Sequence, residues 1–307
     1  MATAAIVGAG VIGAGWAVRF ALSGWDVQIY DPSPSSEEAV RRTLARARKH
    51  VAALQTDGLQ EGALTFVDTL AQAVESVHWV QESLPENLAL KRRELAAIDA
   101  RVEPAIPICS STSGFKPSVL GEGLATAKRL FVCHPFNPVY LIPLVEVVPH
   151  PAVAKERLAE VKRVLLDMGM VPLHVRREID GHIADRLLEA VWREALWLIH
   201  DDVATTQEID AAIKYGFGLR WAQMGLFETY RLGGGGQGMR HFLAQFGPAL
   251  QWPWSKLTDV PDLDEALIEK IAMQSDEQAG GQTIEALSER RDSNLVRILK
   301  ALSEQGE

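Results

Sequence analysis

Ala4-Ala5-Ile6-Val7-Gly8-Ala9-Gly10-Val11-Ile12-Gly13 is the stretch that decides the fold. Four residues of buried-strand character run into a GxGxxG turn, and helix-period sequence follows over Gly13–Ser23. A glycine pattern alone is weak; a strand before it and a helix after it are the context a dinucleotide-binding turn needs. In such a turn Gly8 permits the tight bend, Gly10 lets the backbone approach a pyrophosphate, and Gly13 lets helix pack on strand. The unpaired amides at the helix start then attract phosphate charge, and Ala9, Val11 and Ile12 complete the cofactor-binding turn. Asp31 ends the next strand, 18 residues after Gly13. A carboxylate there accepts ribose hydroxyls and repels a 2′-phosphate, and Arg41 is the first basic residue after it, so NAD is favoured over NADP.

The same alternation continues outward. Strands are expected at Asp26–Asp31, Leu64–Asp68, Trp79–Leu84, Pro107–Thr112, Leu130–Pro135, Leu144–Val148 and Val171–Arg176, with helical stretches such as Glu37–Leu54 between the early ones. That texture indicates parallel βαβ units with helices on both faces. Around Arg177–Gly181 it changes to helix, with loops expected at Gly233–Gly236 and around Pro248–Pro261. The fold class expected is therefore α/β: a doubly wound Rossmann-type domain over residues 1–177, then an all-helical domain over 178–307. A helix over His182–His200 joins them. Its residues Ile183, Leu187, Val191 and Leu198 recur near helical spacing and should face the core, while Asp185, Glu189, Trp192 and Leu196 share another face.

Composition narrows the function classes. The 307 residues suit about two domains. Forty acidic against 31 basic residues give a net charge of −9, which argues against nucleic acid or an anionic membrane as the main partner. No apolar run approaches the ~20 residues of a membrane span, and the start lacks a signal-peptide pattern, so a soluble cytoplasmic protein is expected. Cys109 and Cys133 form neither a disulfide framework nor a metal-spaced pair, and no metal site is expected.

Histidine is the usual proton partner of hydride transfer, because its pKa lies near neutrality. Of eight histidines, His134 stands out in Phe131-Val132-Cys133-His134-Pro135-Phe136-Asn137-Pro138, at a strand end where doubly wound sheets place ligands. Glu146 sits in Leu144-Val145-Glu146-Val147-Val148, an otherwise apolar strand, and a carboxylate there must find a partner if buried. A His134–Glu146 pair would fix the imidazole tautomer and stabilise its protonated form.

Together with Ser110-Ser111-Thr112-Ser113 and Glu86-Asn87 with Lys91, these runs resemble the 3-hydroxyacyl-CoA dehydrogenase family, in order and over essentially the whole chain. The resemblance implies His134 as general base, Glu146 as its orienting partner, Ser113 as the substrate-positioning hydroxyl, and Glu86 and Lys91 as cofactor-contacting residues. Where the family usually reads Gly-Phe-x-x-Asn-Arg, this chain has Gly181-His182-Ile183-Ala184-Asp185-Arg186, an acid replacing the amide. Arg41, Arg42, Arg46, Arg48 and Lys49 fall where the family has a CoA-contacting region, and they equally fit a solvated helix face.

Asp180–Ile199, Gly216–Arg231 and Ser113-Gly114-Phe115-Lys116-Pro117 are similar to the carnitine dehydrogenase branch of that family. This resemblance implies oxidation of the 3-hydroxyl of L-carnitine by NAD, in a cytoplasmic homodimer associating through the helical domain. A trimethylammonium group donates no hydrogen bond, so aromatic faces and negative charge are its natural partners. Trp192, sharing a helix face with Asp185, is the best candidate among Trp192, Trp197, Trp221, Trp252 and Trp254. For the substrate carboxylate, Arg220 and Arg193 are the candidate cations. Rival readings are a dehydrogenase for a 3-hydroxyacyl-CoA or a sugar acid such as gulonate, or a structural protein that retains the fold.

Overall fold

A computed structural model describes residues 2–54, 61–125, 127–233, 238–246, 255, 264–267, 270, 273 and 283–303. By contacts the chain divides into two compact units: Met1–Asp185 with Ser288–Glu307, and Arg186–Leu287.

The first unit is built on an eight-stranded sheet of order β3-β2-β1-β4-β5-β6-β7-β8. The strands are β1 Thr3–Val7, β2 Asp26–Tyr30, β3 Leu64–Phe66, β4 Trp79–Glu82, β5 Ile108–Ser110, β6 Leu130–Pro135, β7 Leu144–Pro149 and β8 Val171–His174. Each falls within or beside an expected stretch. The chain winds from β1 outward to β3, then returns to β4 on the other side of β1. That reversal opens a crevice at the carboxyl ends of β1 and β4, where doubly wound sheets bind ligands.

Strands β1 to β6 are parallel, as expected from the βαβ texture. The last pair departs from it: β7 runs antiparallel to β6, and β8 parallel to β7. Only Phe136–Pro143 joins β6 to β7, too short for a parallel crossover of a dozen or more residues. The inversion matters for function, because the register sets His134 opposite Glu146. Directly opposed residues project from the same sheet face, so the pair arises from the ladder itself.

Both sheet faces are covered. On one, Trp16, Ala17 and Phe20 of α1 (Val11–Leu22) and Val161 and Leu165 of α6 (Lys155–Asp167) pack on Ile6, Ile29, Cys133 and Val147. On the other, Leu95 and Ile98 of α4 (Leu88–Asp99) pack on Val7, Val80 and Val132. Each fully buried large side chain contributes about 1.5–3 kcal/mol of transfer free energy. Strand residues thus alternate between two apolar layers, which is why these strands read as nearly continuous hydrophobic runs.

The sequence reading divides the chain at residue 177 and assigns everything beyond it to the helical domain, whereas the chain's end returns to the first unit. In α11 (Ile284–Ser303) Val296 joins Val18, Leu22, Leu44 and Tyr140 in a third cluster. The Tyr140 hydroxyl donates to buried Asp292, and Lys49 pairs with Glu289. These contacts couple residues far apart in sequence, which local patterning does not register.

In the second unit, α7 (Ala184–His200, continuing from the first) leads to α8 (Thr206–Ala212), a π-helical turn over Ile213–Phe217, α9 (Gly218–Gly233) and α10 (Gly238–Phe246). Thr205 and Glu208 form a capping box that starts α8. The apolar face expected to be core in α7 is corrected in part: Ile183 is 38% and Leu187 59% exposed, Val191 and Leu198 are half-buried, and Leu196 and Ile199 are the buried positions. Helical spacing reveals an apolar stripe without saying whether the same chain covers it. The expected loop at Gly233–Gly236 lies outside the described residues beyond Gly233, as does most of Pro248–Pro261, including Trp252 and Trp254. Among the described residues no helix is long and apolar enough to cross a membrane.

Candidate active site

The glycine turn follows β1 as its pattern requires. Gly8 adopts φ +90°, and a Cβ at Gly13 would lie 1.8 Å from the Gly8 carbonyl oxygen, so helix and turn meet at a distance no side chain allows. A Cβ at Gly10 would meet nothing within 4 Å. Open space therefore lies over the N-terminus of α1, where Val11, 71% exposed, leads the first turn. Asp31 braces the turn: its carboxylate accepts the Ala9 amide at 2.6 Å and the Ser33 amide at 2.8 Å. Each oxygen keeps a second lone pair for a ribose hydroxyl. Arg41, meanwhile, is hydrogen-bonded to Glu37 and lies over the Phe66 ring. The residues present therefore fit a dinucleotide with an unphosphorylated ribose.

Beside the crevice, Glu86 and Lys91 take different places. Lys91 is 1% exposed, and its Nζ donates to Glu82 Oε1 at 2.9 Å and to the Leu84 carbonyl at 3.0 Å. It lies beneath the surface as the cation of a buried ion pair. Glu86, whose side chain is 45% exposed, lies 3.5 Å from that cation and accepts from the Thr112 hydroxyl and the Gly114 amide. Glu86 thus grips both sides of Ser113. Glu82, which the sequence reading did not single out, accepts from Lys91, Ser110 and the Leu84 amide while fully buried. An acid at the end of a core strand was its available signal.

At the end of β6, His134 is 5% exposed. Its Nδ1 lies 3.0 Å from Glu146 Oε2 and its Nε2 3.0 Å from the Ser113 hydroxyl. An ionised carboxylate can only accept, so Nδ1–H donates to Glu146; in the neutral ring Nε2 then carries the lone pair that the Ser113 hydroxyl can meet. The other Glu146 oxygen accepts the amides of Ile183 and Ala184 at 2.8 and 3.0 Å. Burial opposes ionisation of Glu146, but the bonds from His134 and from the Ala184 and Ile183 amides outweigh it and hold its carboxyl below the usual range. Asp185 Oδ2 lies 3.6 Å from His134 Nε2, its side chain 26% exposed. The Phe136 ring packs edge-on at 5.1 Å. An imidazole nitrogen aimed at a hydroxyl, with a buried carboxylate on the other ring nitrogen, is the arrangement that can take a proton from an alcohol.

The structure thus brings together His134, Glu146, Ser113 and Asp185, and separately the glycine turn with Asp31. Trp192 and Arg220 belong to the second unit, where both are exposed. Arg193 is engaged by Glu189 and Trp197 packs against His200, while Trp221 lies against Phe217. The basic residues of α2 (Ser36–Ala52) form exposed ion pairs, Arg41 with Glu37, Arg42 with Glu38 and Arg48 with Glu61. A further member of the site, His182, lay unremarked in the quoted helix-entry segment; its ring centroid is 5.5 Å from that of His134. Among the described residues, no cluster of three metal-ligating side chains occurs.

Comparison with known proteins identifies the family. Residues 3–179 match the family described as 3-hydroxyacyl-CoA dehydrogenase, NAD binding domain, and residues 181–271 match the 3-hydroxyacyl-CoA dehydrogenase C-terminal domain. The chain is 54% identical over 306 residues to the L-carnitine dehydrogenase/betainyl-CoA thioesterase of Ruegeria pomeroyi, with 99% of this chain and 63% of the relative covered. The chain thus spans less than two thirds of that relative's length. It is 49% identical to the L-carnitine dehydrogenase of Pseudomonas aeruginosa, covering 98% of this chain and 94% of the relative. Among solved structures, an NAD+-dependent 5-formyl-3-hydroxy-2-methylpyridine 4-carboxylic acid 5-dehydrogenase shares the fold at a TM-score of 0.80 and 24% identity, over 99% of both chains. The chain belongs to the 3-hydroxyacyl-CoA dehydrogenase family, with the family's NAD-binding domain followed by its C-terminal domain.

Proposed function

We propose that this protein oxidises the 3-hydroxyl of L-carnitine to 3-dehydrocarnitine with NAD. The observation that carries the reaction type is the placement of the His134 ring, with Nδ1 3.0 Å from Glu146 and Nε2 3.0 Å from the Ser113 hydroxyl. The substrate rests on relatives named L-carnitine dehydrogenase at about half identity. Bound NAD+ supplies the acceptor for the hydride that leaves C3. The chain's residues handle the proton. Ser113 holds the hydroxyl oxygen, His134 Nε2 takes the proton, and Glu146 stabilises the resulting imidazolium with a charge already in place. The two amides on Glu146 keep that carboxylate ionised and aimed.

Asp185 supplies negative charge next to the reacting position, where the wider family has an amide, and with Trp192 it serves recognition of the trimethylammonium group; Arg220 serves the carboxylate. Exposed apolar side chains concentrate in the second unit, with Leu187, Leu188, Phe227 and Leu232 each more than half exposed. That supports a homodimer formed through the helical domain, which a sedimentation mass would test. NADH formation with L-carnitine, 3-hydroxybutyryl-CoA and L-gulonate tests the substrate. Turnover of L-carnitine alone is the expected result, and turnover of the CoA ester alone would reject the reading.

A further inference from the structure

His182 is fully buried beside the site, and the proton chemistry above leaves it without a task. Its Nε2–H donates to the Thr112 carbonyl at 3.3 Å. That contact fixes the tautomer, and Nδ1 is left as a buried acceptor with no hydrogen-bond partner among the described residues. Gly181 and His182 adopt φ +70° and +49° in succession, turning the chain into α7. Left-handed backbone is uncommon for a residue with a Cβ and persists where the surroundings hold it. The next two amides, Ile183 and Ala184, are the donors to Glu146. The carbonyl that His182 holds belongs to the residue before Ser113, whose hydroxyl meets His134 Nε2. One side chain therefore connects the two hydrogen-bond partners of His134.

We propose that His182 is a positioning residue: through its hydrogen bond to Thr112 and its place in the turn before Ile183, it holds Ser113 and the amides on Glu146 in place around His134. The proposal rests on the reading of His134 as the base. Burial holds the His182 imidazole below its ordinary value, and His134 adds to this, although the Thr112 carbonyl, Glu146 and Asp185 pull the other way. Those residues are the titratable groups facing it: His134 from β6, Glu146 from β7 and Asp185 from α7. Neutrality matters because a second cation at this separation would oppose the imidazolium that His134 becomes.

The test compares His182→Gln with His182→Asn in the full chain, using L-carnitine and NAD. A glutamine amide nitrogen occupies about the place of imidazole Nε2 and can still donate to the Thr112 carbonyl; an asparagine nitrogen matches Nδ1 and falls short. The glutamine variant should keep kcat within about twofold. The asparagine variant should lose about threefold to tenfold, the scale of one hydrogen bond. Its acid limb of kcat/KM should also move up by about half a unit to one unit, because losing the Ser113 donor removes a bond that favours neutral His134. If the asparagine variant does not fold, His182→Phe keeps a ring without the donor and should behave as described for asparagine. Equal kinetics for the donor and non-donor variants, or a fall in Tm with kcat and the acid limb unmoved, would overturn the proposal. A wild-type kcat in His134→Ala would instead refute the base assignment, and this proposal with it.

Discussion

Replacing Glu146 by Gln tests what the buried carboxylate contributes, because the substitution keeps its shape and half of its bonds. The glutamine carbonyl can still accept the Ile183 and Ala184 amides, which now hold Oε1 at 2.8 and 3.0 Å. Its NH2 then faces Nδ1–H of His134 across 3.0 Å, and two donors meet. His134 must shift its proton to Nε2, losing the lone pair that serves as base, or abandon the contact. A charge-assisted bond of this kind is worth about 1.5–3 kcal/mol, which corresponds to roughly 10–150-fold in kcat. Coulomb attraction between imidazolium and carboxylate at 3 Å sets a ceiling near ~5.5 kcal/mol at an effective dielectric of 20, before desolvation costs. The assay is kcat/KM for L-carnitine as a function of pH. The acid limb should move to lower pH, since removing an adjacent anion disfavours the charged imidazole. Stability carries a second signature. The folded-state pKa of Glu146 is depressed, so its contribution is present above the ordinary carboxylate value and is lost as pH falls through the folded one. Wild type should therefore lose stability below about pH 4.5 more steeply than Glu146→Gln. A variant with wild-type kcat and an unmoved acid limb would refute this role.

Three other perturbations address separate parts of the account. Replacing Asp31 by Ser, with an arginine introduced at Ser33, should shift the ratio of kcat/KM towards NADP; an unchanged ratio would show that Asp31 does not face the ribose. Lys91→Met leaves Glu82 buried and uncompensated and should cost about 3–5 kcal/mol in denaturant unfolding, whereas adding Glu82→Gln should restore much of it; a neutral single variant would reject the buried pair. Asp185→Asn and Trp192→Leu should weaken kcat/KM for L-carnitine more than for its uncharged tert-butyl analogue, and equal losses would leave these residues no part in sensing the cation.

The sequence made the sheet legible because its strands are short apolar runs bounded by turns, and the glycine turn named the first of them. It also made His134 and Glu146 conspicuous, as polar residues interrupting apolar strands. Their contact was less accessible, since it depends on β7 turning antiparallel and falling into a register that opposes the two. Ser113 came from family resemblance, while Asp185 was marked by its helix face and by the acid that stands where the family has an amide. His182 was missed because one histidine at a helix entrance resembles any other, and its role depends on a left-handed backbone and a carbonyl 70 residues away. The return of α11 to the first unit was hidden for a similar reason: amphipathic periodicity shows that a helix has an apolar face, not which surface receives it.

Steady-state turnover of His134→Ala with saturating L-carnitine and NAD, read alongside NAD affinity, decides whether His134 is the base. With His134 as base, kcat should fall by about 10²–10⁴, the usual scale of a positioned acid–base group, with NAD affinity within about twofold because the dinucleotide turn lies on other residues. A variant that keeps wild-type kcat across the pH range would contradict that assignment.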